Sequence, residues 1–293
     1  MRFRRKSIGD QSSAYLLIAP SYLIFLLFIV VPIIYTIVLS FTNYNMIDFN
    51  YIGIKNYSKL VKDELFLKSL KNTIRYAALT IPPSIIIGLG LALLLNKKMP
   101  GRSIFRTAIF LPYIFSMVVV AIVWSYLYDA NVGIINRFFT ALGLSKVRWL
   151  TDKKMAMISL SIMSIWQRVG YTMILFLSGL QSIDSNIYEA ASIDGVNPFQ
   201  RFRFITLPLL RPTTFFVTVM ACITAFQVFG EVLILTNGGP QNSTTTIAHN
   251  IYQNGFLYLN MGYASAQAVV LLLIIMGITL INMRFGKGDD NDE

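Results

Sequence analysis

The chain consists of long apolar runs separated by shorter polar stretches. Each run is long enough to cross the hydrocarbon core of a bilayer, which takes about 20 apolar residues in a helix. The runs are residues 14–39, 74–95, 107–128, 157–180, 212–232 and 264–283. This pattern predicts an all-α integral membrane protein, a bundle of six transmembrane helices.

The composition also indicates that much of the surface of this chain contacts lipid and not water. Hydrophobic residues make up 55% of the sequence and charged residues only 13%, whereas a soluble domain has about 25% charged residues. The net charge of +11 does not indicate nucleic-acid binding, because the basic residues form short blocks between the apolar runs. Such blocks are typical of topology signals.

The distribution of basic residues predicts the orientation of the chain. Four of the first six residues are Arg or Lys, and residues 97–106 form a second dense basic block. Because short cytoplasmic segments are enriched in Lys and Arg, we expect both termini in the cytoplasm. Residues 1–13 are then a basic cytoplasmic segment, and residues 14–293 form the transmembrane domain. The acidic tail at 289–293 does not affect this assignment.

Two short helices are predicted in the loop between the fourth and fifth spans. Asp184 or Ser185 can cap the first helix, and Gly195 can end it in a left-handed backbone conformation. Asn197 can cap the second helix, with Pro198 as its first residue.

Apolar spacing predicts which faces of these helices are covered. The first helix is expected to bury one face, and the second to align apolar residues at three-residue steps, with Pro208 ending the unit. The first face contains Ile183, Ile187, Ala190 and Ala191, and the second contains Phe199, Phe202 and Ile205.

Small alanines beside one acid suit a protein–protein contact. Alanine allows close backbone approach, and Glu189 can pair with a basic group of a partner. The same loop could instead pack under its own helices, and the residues alone leave both alternatives open.

Within the spans, one charged residue is a candidate for the solute pathway. Arg168 lies near the middle of the fourth span, beside Trp166 and Gln167. A charge at that depth is expected to face a water-filled cavity or another polar group, and aromatic and polar side chains suit a sugar. Alternatively, Arg168 pairs with carbonyls or a carboxylate of a partner subunit and holds the two together. Gln227 and Glu231 are weaker candidates at the outer end of the fifth span.

The sequence contains no motif for several kinds of catalysis. The phosphate-binding pattern G-x-x-x-x-G-K-[ST] does not occur, and neither does G-x-S-x-G. His249 is the single histidine, which excludes H-E-x-x-H, and we expect it to be an ordinary surface or interface residue. The chain is therefore predicted to be non-catalytic, with no metal site.

The loop at 184–208 resembles the EAA motif of binding-protein-dependent ABC importer permeases. The matching residues are Glu189-Ala190-Ala191, Asp194-Gly195 and Ile205-Thr206-Leu207-Pro208. The resemblance implies the type I importer fold, with this loop forming coupling helices that dock in a cleft of an ATPase subunit. The residues that it assigns to coupling are Glu189, Ala190, Ala191, Asp194, Gly195, Pro198, Leu207 and Pro208.

Further segments resemble the permeases of carbohydrate uptake, of the maltose and multiple-sugar type, first of two paired permeases. They are Gly53 to Tyr57, Phe110-Leu111-Pro112, the turn 131–136, and Leu235 to Pro240 followed by Ser243-Thr244. Gly238, Gly239 and Pro240 are candidates for docking a binding protein. The large external insertion of the enterobacterial maltose subunit is missing, and the compact chain is more similar to the lactose, multiple-sugar and glycerol-phosphate members.

The resemblance implies a multi-pass subunit of a bacterial or archaeal cell membrane that takes up di- or oligosaccharides. Its expected partners are a second homologous permease, two ATPase subunits that bind ATP and magnesium, an extracellular solute-binding protein, the sugar and membrane lipid. No cofactor and no nucleic acid are expected in this chain. Another small solute, such as glycerol phosphate or a polyamine, is the main alternative. An ion-coupled carrier is a remote one, because no carboxylate is expected deep in a span.

Overall fold

A computed structural model of the chain describes residues 8–97 and 99–286. Regular structure in these residues is helical, with one isolated antiparallel bridge between Thr42 and Tyr51. The predicted basic cluster at 2–6 and the acidic tail at 289–293 lie outside the described residues.

Fifteen α-helices form in the described part of the chain, which confirms the all-α class. They are α1 (Ile8–Phe25), α2 (Val31–Ser40), α3 (Lys55–Lys62), α4 (Glu64–Asn96), α5 (Arg102–Ile114), α6 (Met117–Leu127), α7 (Ile134–Ala141), α8 (Met155–Gln181), α9 (Ser185–Ile193), α10 (Pro198–Arg201), α11 (Leu207–Leu209), α12 (Arg211–Phe226), α13 (Gly230–Leu235), α14 (Ile247–Tyr252) and α15 (Met261–Gly286). Three π-helical turns extend them, at Leu26–Val30, Phe202–Thr206 and Gln253–Leu257.

Four stretches of the described chain are long and apolar enough to cross a membrane as single helices. They are Tyr15–Ser40, Glu64–Asn96, Met155–Gln181 and Met261–Arg284. Two bent pairs, α5 with α6 and α10–α11 with α12, reach that length only together. The described chain thus contains four candidate spans, or up to six when each bent pair counts as one, a range that includes the predicted six.

The third span is a broken helix and not the continuous helix that hydropathy predicts. The axes of α5 and α6 meet at 98°. Phe115 and Ser116 between them have extended backbone, with ψ of 146° and 131°. Pro112, in the last turn of α5, donates no backbone hydrogen bond and weakens the helix just before the break.

The fifth span also ends earlier than predicted. Helix α12 stops at Phe226, residues 227–229 are not helical, and Gly230 begins α13. The prediction of one helix over 212–232 is therefore wrong at its C-terminal end. As a consequence, Gln227 and Glu231 are not one turn apart on a single helix.

The chain divides into two compact units, and the larger one comprises residues 61–250 and 271–293. Its core lies between α4, α8 and α12, where Ala92, Met173, Phe176 and Val217 are buried. Gly170 of α8 has no room for a side chain because the backbone of α5 passes directly over it. Small residues at such crossings allow the close helix packing that stabilises membrane proteins.

The smaller unit comprises residues 1–60 and 251–270. Asn56 of α3 donates from its side-chain amide to the carbonyls of Ser40 at 2.9 Å and Thr42 at 2.8 Å. The hydroxyl of Tyr57 lies 2.7 Å from that of Ser40. The Asn-Tyr pair therefore ties α3 to the chain that leaves α2.

Candidate functional site

The 184–208 loop contains the two capped helices that its sequence predicts. The carboxylate of Asp184 accepts a hydrogen bond from the N–H of Asn186 at 2.9 Å and caps α9. At the other end Gly195 has φ of +70°. The N–H of Val196 donates to the carbonyl of Ala191 at 3.0 Å, which completes a Schellman termination.

Helix α10 begins with a capping box. The side chain of Asn197 accepts from the N–H of Gln200 at 2.9 Å, and the side chain of Gln200 accepts from the N–H of Asn197 at 3.2 Å. Pro198 occupies the first turn, as predicted. Caps of this kind stabilise a helix by about 1 kcal/mol each, so the turn between the helices has a defined shape.

The covered face of α9 differs from the predicted one. Ile187 and Ala190 are exposed, whereas Ala191 is buried and Tyr188 half-buried. The hydroxyl of Tyr188 lies 3.2 Å from that of Thr206, in the π-helical turn. The apolar spacing did not predict that Tyr188 is covered. The hydroxyl of Tyr188 is paired with a residue 18 positions away in the sequence, which local spacing does not show.

Pro208 does not end the unit, contrary to the prediction. The chain continues from α10 through the π-helical turn into α11, and the bend falls at Leu210. Pro208 lies in the first turn of α11, directly after the π-helical turn.

The loop presents an acid among apolar side chains. Glu189 is exposed, as are Ile193, Phe199 and Phe204, which are 87%, 73% and 69% exposed. Asp194 is exposed and Leu207 half-buried. Within the described residues Glu189 has no hydrogen-bond or ion-pair partner. An exposed apolar surface around a free carboxylate is typical of a contact surface for another protein.

A cavity of about 460 Å³, the central cavity, lies between α4, α5, α8, α12 and α13. This volume falls within the range of small-molecule sites, roughly 300–1,000 Å³. Hydroxyl groups make up much of its polar lining; they belong to Tyr76, Thr80, Ser84, Ser164, Thr172 and Thr224. The hydroxyl of Tyr76 donates to that of Ser164 at 2.7 Å.

An ion pair forms one wall of the central cavity. Nη2 of Arg168 lies 2.7 Å from Oε1 of Glu231, and the two side chains are 27% and 4% exposed. Arg168 thus lines the cavity, as one alternative predicted, and it is paired with a carboxylate of its own chain. Glu231, which was expected at the outer end of the fifth span, lies in α13 beyond the end of α12.

The cavity includes some predicted pathway residues and excludes others. Gln167, Arg168 and Glu231 line it. Trp166 does not; its ring packs edge-on against Trp124 at 5.5 Å between centroids. Gln227 is exposed outside the cavity. Residues two positions apart on a helix point about 200° apart, so Trp166 faces away from Arg168.

A tyrosine pair in the cavity lining was not predicted. Tyr113 of α5 and Tyr171 of α8 are stacked, with centroids 4.7 Å apart and an interplanar angle of 14°. A signal for the lining does exist in the sequence, because Tyr76, Thr80 and Ser84 recur at four-residue steps on one face of α4.

The Gly-Gly-Pro loop is tightly bound to α4. Gly238 is buried with φ of +80°, and its carbonyl accepts from the N–H of Thr244 at 3.1 Å. Asn72 of α4 donates to the carbonyls of Asn242 and Thr245, both at 3.0 Å. Of the three docking candidates, Gly239 and Pro240 are half-buried and more accessible than Gly238.

His249 is a core residue of this region and not the surface residue that was expected. It is fully buried, and its Nε2 lies 3.3 Å from Oδ1 of Asn237. Burial lowers the pKa of His249 below the ordinary value of a histidine, so the ring is neutral at pH 7. Its position behind Gly238 explains why that position has no space for a side chain.

Comparison with known proteins places the chain in a transport family. Residues 84–286 match the family described as binding-protein-dependent transport system inner membrane component. The probable ABC transporter permease protein YurN of Bacillus subtilis is 37% identical, over 93% of this chain and 95% of that protein. The sulfoquinovosyl glycerol transport system permease protein SmoG of Agrobacterium fabrum is 32% identical, over 97% and 93%.

A solved structure has the same fold. A chain of a bacterial alginate ABC transporter, crystallised with an alginate pentasaccharide-bound periplasmic protein, superimposes with a TM-score of 0.83 at 25% identity, over 94% of each chain. The chain belongs to the family of inner membrane components of binding-protein-dependent transport systems.

Proposed function

We propose that this chain is the first permease subunit of an ATP-driven importer for di- or oligosaccharides. The observation that carries the proposal is the 184–208 loop, which holds an unpaired Glu189 within an exposed apolar surface between two capped helices. Sugar as the solute is supported by the names of SmoG and of the alginate transporter and by the chemistry of the central cavity.

The central cavity suits a neutral sugar. Its hydroxyl groups can exchange hydrogen bonds with sugar hydroxyls, and the face of Tyr113 or Tyr171 can pack against the C–H surface of a pyranose ring. Because Glu231 neutralises Arg168, this wall has no net charge to attract a phosphate. A glycerol-phosphate substrate is therefore the less favoured alternative.

Coupling to ATP is proposed to run through the 184–208 loop. ATP and magnesium bind to two partner ATPase subunits, whose closing motion moves α9 and α10. These helices continue through the π-helical turn and α11 to α12, which lines the cavity. A push on the loop is thus transmitted to the solute pathway, and this chain needs no catalytic residue.

The remaining partners follow from the same scheme. A second homologous permease completes the pathway, and an extracellular solute-binding protein docks near Gly239 and Pro240. In this scheme both termini and the 184–208 loop face the cytoplasm, in agreement with the basic blocks around residues 97–106 and 201–211.

Charge reversal at Glu189 tests the coupling role. We expect Glu189→Arg to abolish uptake of labelled sugars while the protein stays at normal abundance in the membrane. Glu189→Gln should cause a smaller loss, because it keeps the shape and removes only the charge. Glu64→Arg, at an exposed acid in the first turn of α4, is the matched control and should transport normally.

A deletion strain complemented with each variant serves for this measurement. The labelled solutes are a panel of neutral mono-, di- and oligosaccharides together with glycerol phosphate. Undiminished sugar uptake by the Glu189→Arg strain would refute the coupling role. Loss of glycerol-phosphate uptake alone in the deletion strain would refute sugar as the substrate class.

A further inference from the structure

We infer that Arg102, Arg106 and Gln181 form a binding site for the phosphate of an anionic lipid headgroup. The site lies where α5 begins and α8 ends, just before the 184–208 loop in the sequence, and none of its three residues is among those proposed for solute or ATPase contact. The inference holds whichever leaflet this end of the span faces.

Two guanidinium groups converge there on a single neutral oxygen. The side-chain oxygen of Gln181, in the amide orientation that satisfies its neighbours, accepts from Nη2 of Arg102 at 2.6 Å and from Nη2 of Arg106 at 2.9 Å. The two positive charges that share this oxygen repel each other, and the uncharged amide oxygen neutralises neither of them.

Unused donors remain at the site. The Nε of Arg102 and the Nε of Arg106 are enclosed, and neither has a hydrogen-bond partner in the described chain. Neither arginine is paired with a carboxylate there. The acid nearest to Gln181 in sequence is Asp184, whose carboxylate accepts hydrogen bonds from the N–H and the side-chain amide of Asn186. A buried donor without a partner is unfavourable, and an anion would supply the acceptors that these two donors lack.

The surrounding charge and backbone favour a phosphate. The N-cap of α5 is Gly101, which makes no side-chain cap, so the positive end of the helix dipole adds to the guanidinium charge. Guanidinium groups bind phosphate through paired hydrogen bonds.

The neighbouring surface favours a lipid as the source of that phosphate. Ile104 and Phe105 project from the same first turns of α5 and are 74% and 53% exposed. Acyl chains can cover these side chains while the headgroup phosphate lies on the arginines. A free phosphate ion would leave this apolar surface uncovered.

Lipid retention in nanodiscs and native mass spectrometry tests the site with the full-length protein. With equal amounts of phosphatidylglycerol and phosphatidylcholine, we expect the protein to retain phosphatidylglycerol roughly thirtyfold better, given about 1 kcal/mol for each of the two arginines near a membrane surface. Arg102→Gln/Arg106→Gln should lose this preference. Arg284→Gln, at an exposed arginine ending the last span, is the matched control and should keep it.

A second variant separates a binding defect from misfolding. Gln181→Glu retains both arginines and supplies them with an internal carboxylate. It should lose the preference for phosphatidylglycerol and melt at a higher temperature than the parent protein in phosphatidylcholine. Loss of binding with higher stability cannot come from unfolding. An unchanged preference in Gln181→Glu would overturn the site.

Inorganic phosphate distinguishes the two sources of the anion. In phosphatidylcholine nanodiscs, we expect millimolar phosphate to raise the melting temperature of the parent protein less than phosphatidylglycerol does. Stabilisation by phosphate without any retention of phosphatidylglycerol would overturn the lipid assignment. No response to either anion would overturn the site itself.

Discussion

Arg168 and Glu231 are joined across 63 residues of sequence, by a contact between α8 and α13. Both charges are largely removed from water. Each charge is therefore compensated mainly by the opposite charge of its partner. Removing one partner leaves an uncompensated charge, which costs more than replacing both. The pair is therefore a requirement for the shape of the cavity wall as well as for its neutrality.

Glu231→Gln tests this dependence. We expect a loss of about 3 kcal/mol, seen as a lower melting temperature of the purified protein, because Arg168 keeps its charge without a partner. Arg168→Gln/Glu231→Gln should recover much of the loss. Glu64→Gln, at an exposed acid, should not change the melting temperature. A double variant less stable than Glu231→Gln would contradict the proposed pairing.

Gly195 offers a second test at one position. Its φ is +70°, and a Cβ placed there would have no atom within 4 Å, so any effect of substitution comes from the backbone alone. Gly195→Ala should cost about 1 kcal/mol and reduce sugar uptake. Gly195→Asn should transport nearly as the parent does, since Asn tolerates this conformation. Equal uptake by both variants at equal abundance would show that the turn does not limit coupling.

For individual helices, the sequence predicted those features that depend only on residues close together in the chain. The caps at Asp184 and Asn197 and the termination at Gly195 follow from chemistry within five residues, and the structure contains all three. The six spans follow from apolar length. The break at 115–116 could not be predicted, because hydropathy averages over backbone angles that tertiary packing decides.

The sequence patterns did not predict contacts between elements that lie far apart in the chain. Tyr188 is covered because Thr206 lies beside it, and His249 is buried because the Gly-Gly-Pro loop folds over it. Trp166 was grouped with Arg168 by sequence proximity, although successive residues of a helix face different directions. Spacing of hydroxyl residues along α4 was the better guide to the cavity.

The anchoring of the Gly-Gly-Pro loop to α4 gives a prediction at this scale. Asn72→Ala removes the donor to the carbonyls of Asn242 and Thr245, and loss of the buried bond to Thr245 costs about 1–3 kcal/mol. We expect the amides of residues 241–247 to exchange hydrogen roughly tenfold faster by mass spectrometry. Lys71→Ala, its exposed neighbour, should exchange as the parent does. Unchanged exchange in Asn72→Ala would show that other contacts hold the loop.

For the whole molecule, the direction of transport depends on which side of the membrane each loop faces. The proposed scheme needs the 184–208 loop on the side of the ATPase subunits and residues 142–154 on the opposite side. Both ends of α8 thus have fixed assignments: its N-terminal end at Met155 faces outward and its C-terminal end at Gln181 faces the cytoplasm. A helix that crosses once must separate these two loops, so labelling both tests the orientation without further assumptions.

Cysteine labelling of intact cells makes this measurement. Cys222 is the single cysteine, so Cys222→Ser provides a background without thiols. Ser145→Cys and Ser192→Cys place one thiol at an exposed position in each loop. We expect a membrane-impermeant maleimide to label Ser145→Cys in intact cells and Ser192→Cys only after the membrane is opened. Because the partner ATPase can cover Ser192, labelling in opened membranes is repeated after detergent extraction. The reverse pattern would invert the chain, place Glu189 outside the cell, and remove the physical basis for coupling to ATP through that residue.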